Sequence, residues 1–133
     1  MPLCSGKMKG QAQTLAGNVY MYPQWGPQCM HMMGGMDPAG APMYFVNNTC
    51  VAQSAIYSSC ATATDGSGQV LENNHYFIDN KDYKGGDIVP GFLCANGSWS
   101  AWLATGEDRG STISADVPTV AAMVKWGEDL LGF

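Results

Sequence analysis

The sequence has few charged residues. Only 13% of its 133 residues are Asp, Glu, Lys or Arg, which is about half the share of about 25% that is usual in soluble domains. The six lysines and arginines are scattered along the chain, and the formal net charge is −5. A nucleic-acid-binding protein needs clustered cations to neutralise phosphates, so we expect no nucleic-acid partner. An anionic membrane surface is disfavoured for the same reason.

Long apolar runs and the common catalytic motifs are also missing. No stretch is apolar enough over a sufficient length to cross a membrane, and no signal peptide is visible. There is no Cys-x-x-Cys pair, which disfavours a zinc ribbon or a thioredoxin-type site. Neither Gly-x-Ser-x-Gly nor His-Glu-x-x-His occurs, and only two histidines could act as a base. We therefore expect no membrane insertion, no cofactor and no enzymatic activity.

The five cysteines lie at wide, irregular spacings. We expect two disulfides among Cys29, Cys50, Cys60 and Cys94, with Cys4 left over. Spacing alone leaves the pairing open, although Cys50 and Cys60 lie on adjacent predicted strands and are the favoured pair. Disulfides persist in oxidising compartments, so we expect an extracellular protein. Because no export signal is visible, we expect residues 1–133 to be a single recognition domain from the C-terminal part of a longer protein.

Short apolar segments separated by Gly, Asn and Pro run through most of the chain. They predict a mainly β fold of short antiparallel strands, joined by long loops and stabilised by disulfides. Residues 43–46 and 51–57 are one expected strand pair, and residues 99–103 are the last expected strand. The end of the chain differs, because Val117, Val120, Ala121 and Val124 recur at helical spacing after Asp116. This pattern predicts one C-terminal α-helix, and no internal repeat is evident.

Residues 72–80 combine carboxylates, planar amides and aromatic rings. Such groups build saccharide sites, because amides and carboxylates hydrogen-bond to sugar hydroxyls while a ring covers the apolar face of the sugar. A second candidate is Trp25, which lies in a Pro/Gly-rich loop, and loops often carry function. The predicted ligand-binding residues are Trp25, Asn73, Asn74, His75, Tyr76, Asp79, Asn80 and Asp82. The alternative is that the aromatic residues are core anchors and the asparagines form turns.

Residues 29–36 are rich in soft metal ligands. Thiolate, thioether and imidazole groups suit Cu(I), and this segment supplies Cys29, Met30, His31, Met32, Met33 and Met36. The alternative is that the methionines fill gaps beneath a loop and that Cys29 is in a disulfide. We favour the alternative and expect no metal here.

Acidic residues between 72 and 87 allow two further interpretations. Residues 79–87 are acidic and glycine-rich, like many calcium loops, but the EF-hand positions 3 and 5 would hold Lys81 and Tyr83. Glu72 with Asp79 or Asp82 could instead act as the paired acids of a glycoside hydrolase. A solvated turn explains the same residues, so neither interpretation is preferred.

Residues 93–99 read Leu93-Cys94-Ala95-Asn96-Gly97-Ser98-Trp99. Asn-Gly is a strong signal for a two-residue β-hairpin turn, so we expect a return strand that starts at Trp99. The segment resembles the Cys-Asn/Asp-Gly-x-Trp turn in the C-terminal variable domains of shufflon-type minor pilins, the tip adhesins of conjugative type IV pili.

The resemblance covers seven residues and assigns no binding residue. It implies an extracellular pilus-tip domain that recognises lipopolysaccharide or another surface glycan of a recipient cell during conjugation. The remainder of a pilus or fibre protein would be its second partner. The receptor-binding domain of a phage tail tip and a small secreted carbohydrate hydrolase are the alternatives.

Overall fold

The computed structural model describes residues 13–22, 29, 43–53, 56–57, 60 and 69–133. Trp25, Cys4 and the soft ligands at 30–36 lie outside these ranges. Within them the strands are β1 (Gln13–Ala16), β2 (Val19–Met21), β3 (Met43–Val46), β4 (Thr49–Ala52), β5 (Gln69–Glu72), β6 (His75–Ile78) and β7 (Thr112–Ser114). The helices are α1 (Trp99–Ala104) and α2 (Val120–Leu131), and a 3₁₀ turn covers Cys94–Gly97.

Every pairing between these strands is parallel. One sheet has the order β1-β3-β5, and the other has the order β2-β4-β6-β7. Two residues separate β1 from β2, β3 from β4, and β5 from β6, so each strand pair turns a corner from one sheet into the other. The corners stack in register, with Val19 beside Thr49, Thr49 beside His75, and His75 beside Thr112. The described strands therefore form stacked coils, as in a parallel β-solenoid.

The prediction of a mainly β fold with antiparallel strands is therefore wrong. A two-residue hairpin of type I′ needs positive φ at both central residues. Here only the first corner residue is left-handed: Gly17 at φ 68°, Asn47 at 54° and Asn73 at 54°. A single left-handed residue bends the chain without reversing it, so the next strand enters the second sheet. The irregular loops between coils then return the chain for parallel pairing.

Residues 99–103 were predicted to form a strand, but they lie in α1. Ser98 caps the helix, because its Oγ accepts a hydrogen bond from the Ala101 backbone N–H at 3.1 Å. The Asp87 carboxylate accepts a second one from the Ser100 N–H at 2.7 Å. The Asn-Gly segment does reverse the chain locally, since Val89 N–H donates to Gly97 O at 2.9 Å. These two caps satisfy helical N–H groups, so the returning segment continues as a helix.

Two disulfides join the predicted set of four cysteines. They connect Cys29 to Cys50, with Cα atoms 5.9 Å apart, and Cys60 to Cys94, with Cα atoms 5.4 Å apart. The favoured Cys50–Cys60 pairing is wrong. Cys50 is fully buried on β4, and the Cys29 N–H donates to Ile56 O at 2.9 Å, which places Cys29 against the same interior. Each bridge thus ties a loop to the core.

The C-terminal helix is present as α2. Its N-cap is Thr119, whose hydroxyl accepts from the Ala122 N–H at 3.1 Å. The inner face carries the buried Met123 and Trp126, whose ring lies 6.2 Å from that of Phe77 on β6. Because neighbouring β6 residues point into the core, Phe77 points outward, and α2 covers the outer face of the second sheet. Neither described helix has the length and apolarity needed to span a bilayer.

Candidate functional site

The second residue of each corner belongs to a polar ladder of Asn18, Asn48 and Asn74, and Ser111 continues it in the residue before β7. The Asn74 Oδ1 accepts from the Asn48 backbone N–H at 2.9 Å, and the Asn48 Oδ1 accepts from the Asn18 N–H at 3.0 Å. The Asn74 Nδ2 donates to Phe45 O at 2.9 Å. Asn48 and Asn74 are fully buried. The amide of Asn74, a predicted ligand contact, is therefore used within the scaffold.

The ladder ends at a buried carboxylate, Asp108. Its Oδ1 accepts from Ser111 Oγ at 2.8 Å, and its Oδ2 accepts from Trp102 Nε1 at 2.8 Å. The hydroxyls of Tyr57 and Tyr76 also donate to it. Burial raises the pKa of Asp108, while these hydrogen bonds act to lower it. All five side chains are buried, so this network stabilises the core and Tyr76 offers no accessible hydroxyl to a ligand.

The remaining predicted residues separate into two places. Asn73 and His75 are exposed at the corner before β6, where the His75 Nδ1 lies 2.8 Å from Thr112 Oγ1. Asp79, Asn80 and Asp82 follow the other end of that strand. Four extended residues span roughly 13 Å, so the segment 73–82 is not one continuous contact surface.

An open groove of about 640 Å³ lies at the end of β6. It forms because β6 and β7 are parallel neighbours, with Phe77 beside Ser114. The segments that follow both strands therefore leave the sheet at the same edge. The groove is lined by Ile78, Asp79, Asn80, Lys81, Tyr83, Lys84, Ala115, Asp116 and Val117.

Hydrogen bonds fix the turn on one wall of the groove. The Asn80 side chain bridges two segments, because its Nδ2 donates to Gln53 O at 3.1 Å and its Oδ1 accepts from the Asp82 N–H at 2.9 Å. The Asn80 carbonyl accepts from the Tyr83 N–H at 3.0 Å. The ring of Tyr83 is 4% exposed, so it anchors the turn in the core. Charged side chains beside it are thereby held at the groove.

Tyr22 lies beside the groove through its hydrogen bond to Asp79. The Tyr22 hydroxyl donates to Asp79 Oδ2 at 2.8 Å, and this bond raises the pKa of Tyr22. The Tyr22 side chain is 37% exposed and its φ is 46°. Positive φ is uncommon for a bulky residue and accumulates at functional sites. An aromatic ring, a carboxylate and an amide thus meet at one edge of the molecule.

The hydrolase and metal alternatives find less support in the geometry. The Glu72 carboxylate pairs with the Arg109 guanidinium at 2.7 Å, and β6 separates it from Asp79. The two catalytic acids of a glycosidase lie roughly 5 to 9.5 Å apart, whereas the whole length of β6 lies between Glu72 and Asp79. In the ranges that the structure describes, no three acidic, histidine or cysteine side chains are grouped to hold a metal ion. The Cys29 disulfide removes the thiolate from the copper ligand set that was considered and not favoured.

No family model, curated protein or solved structure matches this chain. The resemblance of residues 93–99 to minor pilins stays a prediction.

Of the predicted ligand-binding residues, Asp79 and Asn80 line the groove, and Lys81, Lys84 and Asp116 were not among those predicted. Asp116 entered the sequence prediction only as the residue that precedes the helical pattern, and the helix is capped by Thr119 instead. The place of Asp116 opposite Asp79 depends on the parallel pairing of β6 with β7, which no local pattern reveals.

Proposed function

We propose that this domain recognises a saccharide on the surface of another cell, as a non-enzymatic adhesin domain at the tip of a pilus or fibre. The groove beside β6 and β7 is the binding site. The observation that carries the proposal is the convergence of Asp79, Asn80 and Asp116 on this groove, beside the half-exposed ring of Tyr22. Carboxylates and amides chelate sugar hydroxyls, and the ring offers an apolar face.

Size and rigidity support a saccharide ligand. The groove volume of about 640 Å³ lies within the range of about 300–1,000 Å³ that is usual for small-ligand sites. The turn at Asn80 is already ordered by its hydrogen bonds to Gln53 and Asp82. Binding to a pre-ordered turn avoids the entropy loss of fixing a mobile loop.

The disulfides support an extracellular location, because both Cys29–Cys50 and Cys60–Cys94 would be reduced in most cytosols. A saccharide partner at a cell surface fits this location. Lipopolysaccharide of a recipient cell is the ligand class implied by the resemblance to conjugative minor pilins. The remainder of the pilus or fibre protein would carry the domain to that surface.

A glycan array tests the proposal with the oxidised domain. We expect binding to one or more bacterial surface oligosaccharides, and a loss of binding in Asp79→Ala and Asp116→Ala. Glu128→Ala removes an exposed carboxylate on α2, away from the groove, and serves as the control that keeps binding. The proposal fails if no oligosaccharide binds, or if all three variants bind like the wild type. Turnover of a bound oligosaccharide that Glu72→Gln abolishes would show a hydrolase instead.

A further inference from the structure

The lysines of the groove are distinguished by their lack of ion-pair partners. The described part of the chain contains Lys81, Lys84, Arg109 and Lys125. Arg109 pairs with Glu72, and Lys125 pairs with Asp129. Lys81 and Lys84 form no ion pair with any described residue, and both line the groove. In a chain of net charge −5, the two unpaired cations of the described ranges are therefore gathered at one site.

The fold holds these two lysines in place. They flank the buried ring of Tyr83 and follow the turn that the Asn80 carbonyl closes with the Tyr83 N–H. The Tyr83 ring is 4% exposed, so it fixes the backbone between the two lysines, whose exposed side chains line the groove.

The carboxylates and the ammonium groups of the groove suit different parts of a ligand. Asp79 and Asp116 can accept hydrogen bonds from sugar hydroxyls, whereas an ammonium group only donates. A neutral saccharide would leave both lysines without an anionic partner. We propose that the groove selects an anionic saccharide, one that carries phosphate or carboxylate groups, and that Lys81 and Lys84 recognise its charge. This inference rests on the proposed function of the groove.

The test compares one oligosaccharide in three forms. The probe is a phosphorylated, carboxylate-bearing core oligosaccharide released from rough-type lipopolysaccharide. A second portion is dephosphorylated with hydrogen fluoride, and a third has its carboxylates reduced. Isothermal titration then measures the affinity of the oxidised domain for each form. We expect removal of the recognised anion to weaken binding about tenfold, as for two exposed ion pairs of moderate strength.

Lysine variants locate the effect. In Lys81→Gln/Lys84→Gln the native oligosaccharide should bind about tenfold more weakly, while the form without the recognised anion should bind as it does to the wild type. Lys125→Gln removes a lysine on α2 outside the groove, and we expect it to bind like the wild type. Raising the salt from about 50 mM to about 500 mM should weaken binding of the native form only, because salt screens exposed charges.

The outcomes separate the two proposals. If all three forms bind equally and the double variant is unaffected, while Asp116→Ala still loses binding, the anionic inference is overturned and the saccharide site stands. If Lys125→Gln weakens binding as much as the double variant does, the effect belongs to the overall charge, and the inference is again overturned. If neither these probes nor any arrayed oligosaccharide binds, both proposals are overturned.

Discussion

Replacement of Asn74 by alanine should remove the central rung of the asparagine ladder. The Asn74 Oδ1 accepts from the Asn48 backbone N–H at 2.9 Å, and the Asn74 Nδ2 donates to Phe45 O at 2.9 Å. Both Asn48 and Asn74 are fully buried, so water cannot replace these bonds without opening the coil. The alanine variant leaves a buried N–H and a buried carbonyl without these partners.

The expected loss of stability follows from those two groups. An unsatisfied buried donor or acceptor costs about 1–3 kcal/mol, and a carbonyl that keeps another partner lies at the low end. We therefore expect Asn74→Ala to lower the free energy of unfolding by about 3 kcal/mol. This is a large part of the total of about 5–15 kcal/mol that is usual for a domain.

Asn18→Ala is the matched control, because Asn18 forms the first described rung. Its side chain is partly exposed, and its Nδ2 donates to Asn48 Oδ1 at 3.2 Å. Losing this bond should lower stability by about 1 kcal/mol or less, since water can reach the site.

Urea unfolding of the oxidised protein measures both variants. With a slope of about 2 kcal/mol per molar urea, Asn74→Ala should shift the midpoint down by about 1.5 M. Equal midpoints for Asn74→Ala and Asn18→Ala would refute the ladder as a source of stability.

Three further predictions test the scaffold, one of them with a matched control variant. Burial raises the pKa of Asp108 above 3.8 in the folded protein. The folded state therefore binds more protons than the unfolded state just above that pH, and stability falls as the pH rises through this window. Asp108→Asn should flatten that part of the stability–pH curve, and urea midpoints that change equally with pH in both proteins would contradict this. Gly110 has a φ of 76°, and Gly110→Ala would place a Cβ 2.1 Å from Asn73 Oδ1. This variant should lower the free energy of unfolding by about 2 kcal/mol. Gly106 has a similar φ of 91° but open space around it, so Gly106→Ala should lower the urea midpoint less than Gly110→Ala does. Equal losses in the two variants would exclude the clash as the cause. Tyr83→Phe removes a buried hydroxyl that has no described partner, and should leave stability unchanged or raise it by up to about 1 kcal/mol; a lower midpoint would show a partner for that hydroxyl.

Features that depend on local chemistry could be predicted from the sequence. The helical spacing of Val117, Val120 and Val124 predicted a C-terminal helix, which is present as α2. The predicted apolar face was wrong, because Val117 precedes the helix, Val120 and Val124 are exposed, and Met123 is the buried residue. The five cysteines predicted two disulfides with one residue left over, and the four cysteines that were expected to pair are bonded, although the favoured Cys50–Cys60 pair was wrong. Asp79 and Asn80 were predicted as ligand contacts, and both line the groove, where their role in binding stays a prediction.

Strand direction could not be predicted, because it depends on the corner residues. Asn47-Asn48 and Asn73-Asn74 fit a hairpin turn as well as a corner, and the difference lies in the φ of the second asparagine. A two-residue turn between short strands usually lets those two strands pair with each other as a hairpin. Here the Asn74 amide bonds to backbone groups of the neighbouring coil, and these bonds between distant parts of the chain stabilise the parallel stacking.

The internal repeat was missed because its period is irregular. Successive ladder residues are separated by 30, 26 and 37 positions, so a search at fixed spacing finds nothing. The visible signal is a short pattern in which an apolar residue precedes a Gly or Asn corner by two positions. It occurs as Leu15-Ala16-Gly17-Asn18, Phe45-Val46-Asn47-Asn48 and Leu71-Glu72-Asn73-Asn74.

The coil arrangement separates the residues that stabilise the fold from those at the groove. The asparagine ladder lies at the corners before β2, β4 and β6, with Ser111 before β7, whereas the groove lies beyond the far ends of β6 and β7. Most groove side chains are exposed or half-buried and form no bond to the ladder. Substitutions at Lys81, Lys84 or Asp116 should therefore leave the scaffold contacts in place, so a change in saccharide binding by these variants would test the proposed function of the groove and not the stability of the fold.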